Sequence, residues 1–298
     1  MINKLKGQYC LEISAGLLIV ILLLVPMFFW PPFSQAFDLP KTLLFRAFLL
    51  LSMMFLAAYI IYNRNVGIDL KRFYSFPAVL IFILFFVLLI AAIFSQGLIQ
   101  SIWGTQDRMQ GVIQWLYYIL FFCGLLIVLD GKLIKNILLI IVCTAGVIAL
   151  YAIFQKLKFD PLFADFDNDF FVGRVFSTLG NPDFLGQFLA LCLPISVGFI
   201  FESKERIKKM FFSLISIVFL LALFFSQSRA PFFGLLVSSF LLIIYVLKIK
   251  FRANLRSLFK PVLFGLIIFS IIVSGLFLKT DLLDRFEPVP ENTRSIIS

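Results

Sequence analysis

MFFSLISIVFLLALFFSQSRAPFFGLLVSSFLLIIYVL, from Met210 to Leu247, holds two apolar runs of 16 residues joined by the hexapeptide Ser226 to Pro231. At about 1.5 Å per residue, neither run spans a hydrocarbon core of about 30 Å as a helix. Both helices must borrow residues from the connector, which draws Arg229 to the edge of the bilayer. Two readings of Arg229 follow. It snorkels and ends a helix hairpin, or it meets a lipid-borne phosphate together with the hydroxyls of Ser226 and Ser228.

The rest of the chain has the same character. Of 298 residues, 62% are hydrophobic and only 14% are charged, against about 25% charged in soluble domains. The sequence therefore predicts an all-α, polytopic transmembrane protein. Nine apolar segments are read near 13–33, 43–62, 77–94, 112–129, 136–155, 183–201, 210–228, 231–247 and 261–278. The first follows Lys4 and Lys6 like a signal sequence, but Trp30-Pro31-Pro32 replaces a small-residue cleavage site, so it reads as a retained span. The net charge of +10 fits loops facing anionic lipid, and no nucleic-acid-binding motif accompanies it.

Charge sets the expected orientation. With the N-terminus inside, the inner loops hold 16 of the 26 basic residues, among them Arg72, Lys132, Lys204, Arg206, Lys208 and Lys209. The outer loops hold 11 of the 16 acidic residues. The positive-inside rule then favours N-terminus in and C-terminus out. The outer connectors 95–111 and 156–182 are long and mixed in composition, as functional loops often are.

Several chemistries are disfavoured. Cys10, Cys123, Cys143 and Cys192 lack metal-ligand spacing and read as small hydrophobes within helix packing. Histidine is absent, which removes histidine-based metal sites, triads and general bases from this stretch. The acidic run Asp160 to Asp169 resembles a calcium loop only superficially. Counted from Asp165, Phe170 and Phe176 stand where an EF-hand needs Gly and an acid. No cofactor and no metal are expected.

The stretch RVFSTLGNPDFLG, Arg174 to Gly186, reads as a helix start. Asn181 is the N-cap, Pro182 the first helical residue, and Asp183 sits at the positive end of the helix dipole. Arg174 falls outside that account. The free N–H groups of the helix end are anion-binding elements.

Gly180 to Pro194 (GNPDFLGQFLALCLP) and Ser226 to Leu236 (SQSRAPFFGLL), with FDLPKTLLF at Phe37 to Phe45, WGTQDRMQG at Trp103 to Gly111 and Arg294 beyond the ninth span, resemble the O-antigen ligase/O-antigen polymerase membrane family. The resemblance covers nearly the whole chain. It implies a largely helical membrane body with a large outer loop, and a metal-independent transfer of glycan from an undecaprenyl-diphosphate-linked donor. The acceptor hydroxyl belongs to lipid A core in ligases, to another glycan in polymerases and to a protein in some relatives. Family arginines hold the diphosphate. The resemblance places the first at Arg229, by its Ser-Arg-Ala context, and the second at Arg294, by its position in the outer loop. Arg108, Arg174, Asn181, Asp183 and Ser228 are the accompanying substrate-binding candidates. Asp183, Glu287 and Glu291 are the candidates for the base that the acceptor hydroxyl needs.

Ligases also use a histidine later in the outer loop, and this sequence has none. The resemblance thus implies one transmembrane domain, residues 1–298, cut short within an outer loop and inactive alone. It also implies a bacterial inner-membrane location. The alternative is a transporter or flippase of lipid-linked glycan or solute. Carriers tend to place ionisable groups near the membrane midplane, and the central thirds of the nine segments carry no Asp, Glu, Lys or Arg. A non-catalytic scaffold for envelope assembly is a third class.

Overall fold

The computed structural model describes residues 2–30, 36–63, 70–105, 108–160, 173–235 and 239. Contacts divide the chain into two units, Met1–Ser226 and Gln227–Ser298. The first contains α1 (Ile2–Met27), α2 (Asp38–Tyr62), α3 (Phe76–Ile93), α4 (Leu98–Trp103), α5 (Val112–Val128), α6 (Gly131–Lys156), α7 (Pro182–Glu202) and α8 (Arg206–Ser226). No strand occurs among the described residues. Six of these helices are long and apolar enough to cross a membrane, and the apolar α5 has 17 residues. The protein is an all-α polytopic membrane protein.

The first seven apolar segments thus each become a helix. Of the last two, only residues 231–235 and 239 are described, and all are helical. Helix α8 takes Ser226 from the connector, and the next helical stretch starts at 229. Gln227 and Ser228 alone lie between them, with Gln227 at φ +51°. Helix α8 thus gains four residues at its other end, 206–209, and one from the connector, while the next stretch takes 229–231 from the connector. Helices α1 and α2 also begin well before the apolar segments read at 13 and 43. Glu12, Asp38 and Lys41 consequently fall inside helices.

Helices such as α2, α7 and α8 bury one stripe and leave apolar side chains exposed elsewhere, as lipid-facing helices do. On α8 the buried residues include Phe212, Ser216, Phe219, Leu223 and Ser226, at alternating spacings of four and three. Helix α6 buries Val142, Ala145, Ile148, Ala149 and Ala152 completely. Its small side chains let α1, α7 and α8 approach it closely. Two antiparallel hairpins each carry a buried serine pair. Ser14 and Ser52 join α1 to α2 at 2.9 Å, and Ser196 and Ser216 join α7 to α8 at 2.8 Å. In hydrocarbon such pairs contribute about 1 kcal/mol each and fix register.

The two ends of the first unit differ. At one end, Arg72 donates to the carbonyls of Leu126 and Leu129, closing the C-terminus of α5. Lys135 pairs there with Glu202 at 2.6 Å, tying the start of α6 to the end of α7. At the other end meet the last turn of α1, the first turns of α2, α5 and α7, and the last turns of α6 and α8. The helices alternate in direction, so every second connection returns to this end.

Candidate functional site at one end of the first unit

Segment 173–181 is the centre of this end. Its backbone turns sharply, with positive φ at Gly173, Ser177 and Gly180. Gly180 is required by space as well as by φ. A Cβ there would lie 2.2 Å from Cγ of Phe37, in the first turn of the α2 connection. The Phe37 ring also meets Phe176 edge-on at 5.9 Å. The ammonium of Lys41 lies 5.5 Å from the Phe37 ring centre and donates to the carbonyl of Thr178 at 2.6 Å. The hydroxyl of Thr178 donates to the carbonyl of Pro26 at 3.0 Å, satisfying an end carbonyl of α1.

Helix α7 starts as its sequence dictates. The Asn181 side chain accepts from the backbone N–H of Asp183 at 2.8 Å, with Pro182 as the first helical residue. Arg174 is the piece that this local motif leaves over, and two groups hold it. Its Nε donates to the carbonyl of Ser226 at 3.0 Å, and its Nη2 pairs with Asp183 Oδ1 at 2.8 Å. The backbone N–H of Val175 adds a longer bond to the carbonyl of Phe225 at 3.4 Å. One arginine thereby links the start of α7 to the last residue of α8. The Asp183 carboxylate meets that arginine through Oδ1, and its side chain is more than half exposed.

The connection from α4 to α5 reaches the same end. Arg108 Nε lies 3.5 Å from Asp38 Oδ2, with the Arg108 side chain more than half exposed. Arg46, eight residues further along α2, is better enclosed. Its Nε donates to Gln114 Oε1 at 2.9 Å, its Nη2 donates to the carbonyl of Met109 at 3.0 Å, and its guanidinium stands 5.1 Å from the Tyr117 ring centre. A buried amide, a carbonyl and an aromatic face are what a guanidinium at the edge of an apolar region needs. The turn itself is tight: a Cβ on Gly111 would lie 2.3 Å from the carbonyl oxygen of Ile102.

Of the sequence candidates, Arg174, Asn181 and Asp183 are therefore joined directly. Arg108 reaches the same end on a carboxylate of its own. Ser228 and Arg229 belong to the second unit, where Ser228 is buried and Arg229 opens the stretch 229–235 as an exposed residue. Arg294, Glu287 and Glu291 lie outside the described residues, as do residues 161–169 of the acidic run. Asp160 is described, and both of its oxygens are engaged, by Tyr151 and Gln155. Among the described residues no group of three His, Cys, Asp or Glu is placed to hold a metal.

Sequence reading missed Lys41, Arg46, Gln114 and Gln155. Arg46 had a usable signal, a lone cation inside a long apolar run. Gln114 and Gln155 had a weaker one, a polar side chain near the end of an apolar helix. The chain matches no family model, no curated protein and no solved structure.

Proposed function

We propose that this protein transfers a glycan from an undecaprenyl-diphosphate carrier to an acceptor hydroxyl, in the manner of O-antigen ligases and polymerases, at the outer face of a bacterial inner membrane. One observation carries the reading. The segments that bear the resemblance within the first unit, Phe37–Phe45, Trp103–Gly111 and the start of Gly180–Pro194, meet at one end of its helices. Lys41, Arg46, Arg108 and Arg174 lie at or beside that end.

In the proposed step the acceptor oxygen attacks the anomeric carbon. The bond from that carbon to the diphosphate oxygen breaks, the lipid diphosphate leaves with the electron pair, and the acceptor proton passes to a carboxylate. Charge grows on the leaving diphosphate. Guanidinium groups suit it, since they stay protonated and grip two oxygens at once. In a low-dielectric setting one preorganised donor of this kind is worth about 3–4 kcal/mol. Arg229 and Arg294 are assigned that grip. Asp183, Glu287 and Glu291 are the candidate proton acceptors, and Asp183 also pairs with Arg174 through one oxygen. Arg108, Asn181 and Ser228 are assigned to the donor's polar groups. Lipid A core, a growing glycan or a protein supplies the hydroxyl.

The test uses the full-length protein in proteoliposomes with an undecaprenyl-diphosphate oligosaccharide and each acceptor class in turn. Label appearing in a new glycoside supports the reading, and its absence with all three acceptors removes it. Arg46, a cation within α2, is the feature that favours a carrier instead. A carrier moves the labelled lipid across the membrane without forming any new glycosidic bond.

A further inference from the structure

Ser177 is wholly buried at φ +53°, a conformation that costs a side-chain-bearing residue about 1–2 kcal/mol. Something outside the turn holds it there. Its hydroxyl donates to the carbonyl of Ile148 at 2.8 Å. Its backbone N–H and that of Phe176 both donate to Oε1 of Gln155, at 2.9 and 3.0 Å. Gln155 is itself buried in the last turn of α6.

An amide side chain can present either its oxygen or its nitrogen. At Gln155 the choice is forced. Its Nε2 donates to Asp160 Oδ2 at 2.9 Å, and the other carboxylate oxygen accepts from the Tyr151 hydroxyl. A carboxylate cannot donate, so the amide must turn its nitrogen to Asp160 and its oxygen to the 176–177 backbone. The polarity runs one way, from Tyr151 and Gln155 into Asp160 and from the turn into Gln155. Three residues before Ser177, on the same turn, stands Arg174.

We infer that Gln155, oriented by Asp160, is a positioning residue: it locks the 176–177 turn and so aims Arg174 at Asp183 and the Ser226 carbonyl. Its part in glycan transfer rests on the function proposed above, whereas its part in the turn does not.

The arrangement predicts that its polarity can be reversed. Gln155→Glu sets two carboxylates against each other and removes the donor that Asp160 receives. Adding Asp160→Asn supplies an amide that donates to the new carboxylate and still accepts from Tyr151. The pair is then complete again, with size and net charge unchanged. The full-length protein in lipid nanodiscs is measured in two ways, by hydrogen–deuterium exchange of the peptide covering 174–179 and by glycan transfer. Gln155→Glu is expected to raise exchange there about tenfold or more and to lower transfer by a similar factor. The double variant is expected to recover most of both, although it carries one substitution more. Wild-type protection in Gln155→Glu, or a double variant no better than the single one, overturns the inference. Should exchange follow the pattern while the unaltered protein transfers no glycan, the positioning of the turn stands and the glycosyl-transfer reading falls.

Discussion

Gly180 and Phe37 touch so closely that no side chain fits between them. A Cβ on Gly180 would lie 2.2 Å from Cγ and 2.6 Å from Cβ of Phe37, and φ at Gly180 is +76°. This contact seats the Gly-Asn-Pro turn on the start of α2. Gly180→Ala is expected to cost about 2–4 kcal/mol, from the left-handed backbone and from overpacking together. Thermal unfolding of the purified protein in lipid nanodiscs reads that loss. A neutral Gly180→Ala would mean that the turn is not seated on Phe37.

Arg46 ties α2 to Gln114 and to the Met109 carbonyl. Arg46→Leu leaves a buried amide and a carbonyl without their donor, at a cost of about 2–3 kcal/mol. The turn preceding α5 should loosen first. A cysteine at Met109 is expected to react faster with a water-soluble maleimide in Arg46→Leu than in the parent. Arg46→Lys, which reaches one partner instead of two, should fall between them.

The orientation has its own test. In a background without the native cysteines, Arg108→Cys and Phe159→Cys should react with an impermeant thiol reagent applied from outside. Lys71→Cys and Lys208→Cys should react only after permeabilisation. The opposite pattern would carry the end that holds Arg174 to the cytoplasm and end the proposed glycan transfer there.

For Arg229 the informative change is to lysine. Lysine keeps the charge and snorkels equally well, yet it lacks the planar fork. A grip on two phosphate oxygens predicts that Arg229→Lys loses about 10²–10³ in transfer rate with normal protein level. Near-normal transfer by that variant would leave a hairpin-ending arginine and nothing more.

Much of the architecture was legible because lipid writes in a coarse alphabet. Apolar runs such as Phe76–Ile93 and Pro182–Glu202 can only be helices, and Asn181-Pro182 announces where one starts. Helices α1 and α2 start before the apolar segments at 13 and 43 because hydropathy does not register polar helical residues such as Glu12 and Lys41. A helix continues through the interface, where polar side chains meet water, lipid headgroups or partners. The site was legible only by segment. That Arg174 reaches the Ser226 carbonyl, or that Lys41 reaches Thr178, depends on helix azimuth and tilt, which packing against neighbours decides. Gln155 was invisible for the same reason, since its value lies entirely in partners 5 to 22 residues away.

The bond from Thr178 to Pro26 spans 152 residues of chain. At a synthesis rate of about 5–20 residues per second, the end of α1 waits about 8–30 s for its partner to leave the ribosome. Lys41 waits nearly as long for the same residue. During that interval the first hairpin sits in the bilayer with that end carbonyl waiting for Thr178, Lys41 resting on the Phe37 ring, and the Ser14–Ser52 pair joining its helices. The first hairpin thus presents an incomplete end to membrane chaperones and quality-control proteases until residue 178 is made.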